Sequence, residues 1–122
     1  PVIVLAARLP EVRDWYAPSM STPGDVALSN LLDLVPAEFL IRGFLLFALL
    51  RAVGPLGVVI AIVPFAFTHI GKPDPEMLST LGGGLIFGWL NWRTGSIWYS
   101  GIYHVLIQTT VIIAAAGWAA GG

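Results

Sequence analysis

Three long stretches of this chain carry no formal charge: residues 52–71, 77–92 and 94–122 contain no Asp, Glu, Lys or Arg. A hydrocarbon layer about 30 Å thick is crossed by about 20 apolar residues in a helix, or about 17 for a short span. Stretches of that length read as lipid-embedded. Only 11% of the 122 residues are charged, against about 25% in soluble domains, which is too few to cover a water-facing surface. The fold class expected is therefore all-α, a polytopic transmembrane bundle with about four membrane-spanning helices. Runs such as LLFALL and VVIAIV do not alternate in polarity, which argues against a transmembrane barrel.

The breaks follow local chemistry. Gly54-Pro55, the loop Gly71-Lys72-Pro73-Asp74-Pro75 and the reversal Arg93-Thr94-Gly95-Ser96 divide the chain. The helices expected run over 26–53 (its lipid part from Leu34), 56–70, 75–92 and 97–118. Loops this short make consecutive helices antiparallel neighbours. Pro36 and Pro64 lie inside apparent spans, where irregular backbone is expected. Residues 1–25 read as an N-terminal remnant and loop belonging to an upstream segment, and 26–122 as the core. The chain starts at Pro1 with no signal-peptide shape, as expected of a piece of a longer membrane protein. Arg51 and Arg93 mark one side, taken as cytoplasmic, and Asp25, Asp33, Lys72, Asp74 and Glu76 the other. A net charge of −1 with scattered basic residues gives no nucleic-acid partner, and zero cysteines exclude disulfides and thiolate metal sites.

Ionisable groups inside spans cost about 2.5–3.5 kcal/mol on insertion scales and usually mark function. Glu38 and Arg42 lie four residues apart, as do Phe65 and His69, and His104 and Gln108. Each pair shares one helical face. At about 1.5 Å per residue, Glu38 falls roughly 6 Å inside the acidic face and His104 about 10 Å from the opposite one. One pocket could hold them if a proline bend closes the gap. Structural readings stand beside this: an ion pair that neutralises itself, an interfacial histidine, and an interhelical hydrogen bond. Asn91 reads as interfacial and without chemistry. Gly84 and Gly88, extended by Ser79 and Gly83, read as a helix-packing stripe.

Together these motifs resemble the CPBP family of intramembrane proteases (CAAX protease and bacteriocin-processing, Abi/Rce1-like). Its pattern is Glu-Glu-x-x-x-Arg, then Phe-x-x-x-His, then His-x-x-x-Asn. Here Ala37-Glu38-Phe39-Leu40-Ile41-Arg42, Phe65-Ala66-Phe67-Thr68-His69 and His104-Val105-Leu106-Ile107-Gln108 follow in that order. Ala37 stands in place of the first Glu, and Gln108 in place of the Asn. HIGKPDPE and RTGSIWYSG look like a bacterial branch, which implies a multi-pass protein of the bacterial cytoplasmic membrane.

The resemblance implies an intramembrane endopeptidase acting on a membrane-associated or lipidated peptide. Glu38 with His69 would activate water, His104 and Gln108 would stabilise the oxyanion, and Arg42 would orient Glu38. No cofactor is expected; if zinc were present, Glu38, His69 and His104 would be its ligands. There is no HExxH pair. Membrane lipids and a membrane-borne peptide are the expected partners. Two other readings remain: an inactive relative serving as scaffold or immunity protein, and a proton-relay transporter fragment. No internal repeat supports the transporter.

Overall fold

Proline and glycine decide where the helices stop and bend. The computed structural model describes residues 2–121, and among them only helices and turns occur. Thr22 caps α3 (Pro23–Glu38), its hydroxyl accepting from the Asp25 amide at 3.2 Å, with Pro23 in the first turn. Pro36 has no N–H to give to the preceding turn. Just beyond it the backbone widens into a π-helix, Phe39–Leu45, before resuming as α4 (Leu46–Val53). The path expected over 26–53 is thus helical throughout, with its irregularity where Pro36 predicts it.

The stretch after Gly54 forms α5 (Leu56–Ile60) and α6 (Ile62–Phe67), separated at Ala61. Pro64 explains the break, because its nitrogen cannot bond the Ile60 carbonyl one turn earlier. α7 (Asp74–Thr94) ends on Gly95, whose φ of 66° is the left-handed conformation that suits glycine. α8 (Trp98–Gly121) completes the bundle.

α3 and α8 pack antiparallel. Asn30 donates to the Thr109 hydroxyl at 3.0 Å, and eight residues further along α3, Ser100 reaches Glu38. The segment before Val26 forms α1 (Val2–Ala6), α2 (Pro10–Tyr16) and a 3-10 turn (Ala17–Ser19). It packs on α8: Ala7, Val12 and Tyr16 share a core with Val26, Val111, Ile112 and Ala115.

Of the described helices, only Trp98–Gly121 is both long and apolar enough to cross a membrane. Leu56–Phe67 is apolar but only about 18 Å long at 1.5 Å per residue. Among the described residues, one of the four spans expected from the charge gaps thus meets the length and composition of a membrane-crossing helix. Large apolar side chains nonetheless crowd the outer surface, and several polar ones lie inside beside the apolar core. Leu32, Phe39, Phe44, Val63, Phe67, Leu78 and Ile86 face outward, while Glu38, Arg42, His69, Thr80, Asn91 and Ser100 are buried.

The glycines divide by neighbour. A methyl group on Gly88 would lie 3.0 Å from Val58, and one on Gly84 would lie 3.3 Å from Ile62, so these two do form a packing face. Ser79 and Gly83 do not extend it: both line a cavity, and Gly83 has open space beside it. The closest approach is at Gly57, where a methyl group would come within 2.8 Å of the α4 backbone at Leu49 and Leu50. Gly57→Ala should therefore destabilise the protein by about 1–3 kcal/mol. Gly82→Ala, with nothing near it, should be neutral or slightly stabilising. Thermal unfolding of the two variants in detergent, followed by circular dichroism, checks the contrast.

Candidate active site

Glu38 ends α3 and Arg42 lies one turn on, inside the π-helix, so the two side chains project together. Both are only 2% exposed. Arg42 Nη1 donates to Glu38 Oε1, and the guanidinium lies 3.8 Å above the Phe65 ring and 5.1 Å from that of Phe87. Cation–π contact with Phe65 and Phe87 gives the buried cation a second source of stabilisation.

The Glu38 carboxylate is bonded from further along the chain as well. His104 Nδ1 meets Oε1 at 2.7 Å, and Ser100 Oγ meets Oε2 at 3.0 Å. Asn91 on α7, fully buried, donates to Ser100 Oγ at 2.9 Å. Asn91 is therefore no interfacial residue: an uncompensated buried amide would cost several kcal/mol, and this one anchors the Ser100 hydroxyl. With its Nδ1 proton held by a carboxylate, His104 has Nε2 left to act elsewhere.

His69 follows α6 in a turn. Its Nδ1 donates to the Phe65 carbonyl at 3.0 Å, which leaves Nε2 as the basic nitrogen of the neutral ring. The two imidazoles lie nearly parallel, with centroids 6.3 Å apart, and Phe65 is set edge-on to both. His69, His104 and Gln108 line one cavity of about 470 Å³, walled largely by apolar side chains from α1, α7 and α8.

The structure thus brings His69, His104 and Gln108 to one cavity and joins Glu38 and Arg42 to His104. The separate depths expected for Glu38 and His104 do not hold, because α3 starts at Pro23 and Glu38 lies about 22 Å along it. Glu38 does not line the cavity that His69 lines. Its oxygens are occupied by Arg42, His104 and Ser100, and it lies outside the cavity lining. The first-Glu position, Ala37, faces outward. Among the described residues no group of three His, Asp or Glu side chains could hold a metal ion. Glu38 is not set as a zinc ligand beside His69 and His104, because its oxygens are committed to Arg42, Ser100 and His104 Nδ1.

The sequence did not single out Ser100, and it placed Asn91 at the interface and Glu76 among the charges of the acidic side. Ser100 lies one helical turn before His104 and shares its face, a spacing that was legible. Glu76 lines the same cavity and reaches it from the first turn of α7. Outside the helical core of the site, Tyr16 donates to Glu76 Oε2 and stays a neutral hydroxyl, since burial and then the carboxylate push its pKa up.

A family model described as type II CAAX prenyl endopeptidase Rce1-like matches residues 21–110. No curated protein and no solved structure gives a significant match.

The Asn91–Ser100–Glu38 chain has a measurable consequence. Ser100→Ala strands a buried carboxylate oxygen and should cost about 1–3 kcal/mol. Thr94→Ala, on an exposed hydroxyl that bonds only the nearby carbonyls of Leu90 and Ser96, should change stability by less than about 0.5 kcal/mol. Denaturant unfolding of the detergent-solubilised variants measures both.

Proposed function

Because the chain belongs to the type II CAAX prenyl endopeptidase Rce1-like family, we propose that it is an intramembrane endopeptidase, a multi-pass helical protein of a bacterial cytoplasmic membrane. The hydrolysed bond belongs to a membrane-associated or lipidated peptide. The observation that carries this reading is the pair of parallel imidazoles on one cavity, each with its Nδ1 engaged, by Glu38 at 2.7 Å in His104 and by the Phe65 carbonyl at 3.0 Å in His69. That arrangement leaves both Nε2 atoms for chemistry: a lone pair on the neutral His69 ring, and an N–H on His104 when the Glu38 carboxylate holds that ring as its imidazolium. The outward apolar and inward polar side chains support burial of the bundle in lipid, with the shorter apolar helices tilted or accommodated by local thinning.

In this mechanism His69 Nε2 takes a proton from water as the water oxygen attacks the carbonyl carbon of the substrate. The oxyanion that forms is met by His104 Nε2–H and the Gln108 amide. Glu38 balances the charge of an imidazolium at His104, and Arg42 holds Glu38 in place. Collapse of the tetrahedral intermediate breaks the C–N bond, and the proton on His69 passes to the leaving amine. The products are a carboxylic acid and an amine, which become carboxylate and ammonium once the acid's proton passes to the amine or to solvent. Glu38 is thus a positioning residue here, because its contacts are to His104 and not to the cavity.

A scaffold or immunity role is favoured by one observation, Ala37 at the first-Glu position. One experiment separates the two readings. The full-length protein in liposomes is incubated with a panel of prenylated C-terminal peptides and membrane-anchored leader peptides. Product formation is expected, with His69→Ala and His104→Ala each lowering kcat/KM at least about 100-fold. Glu38→Gln should lower kcat more than it alters KM. No cleavage by the wild type across the panel, or cleavage undiminished in His104→Ala, overturns the endopeptidase.

A further inference from the structure

The site as described lacks a carboxylate that can touch water. Glu38 is 2% exposed and lies behind His104, outside the cavity lining. Among the described residues lining the cavity, Glu76 is the one Asp or Glu. We propose that Glu76 is a catalytic carboxylate of this cavity, holding the attacking water together with His69. This inference rests on the endopeptidase reading and adds a residue to it.

The geometry is specific. His69 Nε2 lies 3.7 Å from Glu76 Oε1. That separation is too long for a direct hydrogen bond, whose donor and acceptor stand about 2.7–3.2 Å apart. One water bonded to both atoms at about 2.8 Å each would sit with a narrow angle of about 80° at its oxygen, and a parting of the two side chains by about 0.7 Å opens that angle to water's own. Since the His69 Nδ1 proton is committed to the Phe65 carbonyl, the atom facing Glu76 is the one with the free lone pair. Water between two acceptors directs one proton to each, which turns an oxygen lone pair outward toward a substrate carbonyl.

The carboxylate is held rigidly for the purpose. Lys72 Nζ donates to Oε1 at 2.7 Å and Tyr16 Oη–H donates to Oε2. Lys72 also reaches Tyr16 Oη at 3.3 Å and lies 5.8 Å from the centre of that ring. Tyr16 belongs to α2, so the N-terminal segment helps to fix a group on α7. An i,i+4 pair such as Lys72–Glu76 is ordinarily a solvated helix-end contact worth a few tenths of a kcal/mol. This one differs because a buried tyrosine, 3% exposed, closes over it and because its carboxylate reaches the cavity.

In the step that follows, the water proton moves to His69 Nε2 and the oxygen bonds the substrate carbonyl carbon. Glu76 stays ionised and lies beside the imidazolium so formed. When the C–N bond breaks, that proton leaves with the amine and Glu76 is unchanged.

The test uses the full-length protein in liposomes and whichever peptide of the panel the wild type cleaves. Glu76→Gln should lower kcat about 100-fold with KM changed less than about 3-fold and the thermal midpoint preserved. Glu76→Asp, which keeps the charge on a shorter arm, should retain at least about ten times the kcat of Glu76→Gln. Wild-type kcat in Glu76→Gln overturns the proposal while leaving the endopeptidase intact. Equal losses in both variants with a lowered thermal midpoint also overturn it, since they mark a structural ion pair. A wild type that cleaves no peptide fails the endopeptidase reading, and the role of Glu76 falls with it.

Discussion

A buried carboxylate is the constraint on which this bundle turns. Removing an ionised Glu38 from water costs several kcal/mol unless its oxygens are fully bonded. Arg42 supplies one donor from the same helix, and Ser100 and His104 supply two from α8. Asn91 then braces Ser100 from α7. Three helices are locked to one point. The same register that satisfies Glu38 also pairs Asn30 with Thr109, so sliding α3 along α8 by one turn would break a polar contact at both places. In a bundle whose outward faces are apolar, helix packing has little hydrophobic preference to choose a register, and polar contacts of this kind supply it.

Irregular backbone sits beside the chemistry. The π-helix over 39–45 follows Pro36 and carries Arg42 toward Phe65 and Phe87. The break at Ala61 follows from Pro64 and lets α6 bring Phe65 and His69 against His104. At the end of α6 the Phe65 carbonyl accepts from the side chains of both Thr68 and His69, which holds the imidazole in place. The consequence is a pair of imidazoles differing in environment. His104 is tied to a deep, fully bonded carboxylate. His69 is tied to a carbonyl and faces a second carboxylate nearer the surface. Two similar side chains are thereby given different partners, and under the proposed mechanism that difference would separate an acid from a base role.

Much of this was legible without coordinates. The charge gaps and proline positions gave the helix order and both distortions, because local backbone chemistry acts within one turn. The four-residue spacing of Glu38 with Arg42 identified an ion pair, since a helix puts those positions on one face. Ser100 was within reach of the same reasoning, four residues before His104. Asn91 was not, because whether a polar residue near a helix end faces lipid headgroups or a neighbouring hydroxyl depends on which helix lies against it.

What sequence alone determined, then, is everything governed by neighbours a few residues away: an all-helical chain, its bends, its family motifs and the residues that face together. The tertiary structure decided which of those faces meet. It put Glu38 behind His104 and away from the cavity, turned position 37 outward, and carried Glu76 from an apparent loop-side charge to His69. It also brought Tyr16, sixty residues earlier in the chain, onto Glu76. The physical reason is that a side chain's chemistry is set by the donors and charges within about 4 Å of it, and in this bundle most of those arrive from other helices.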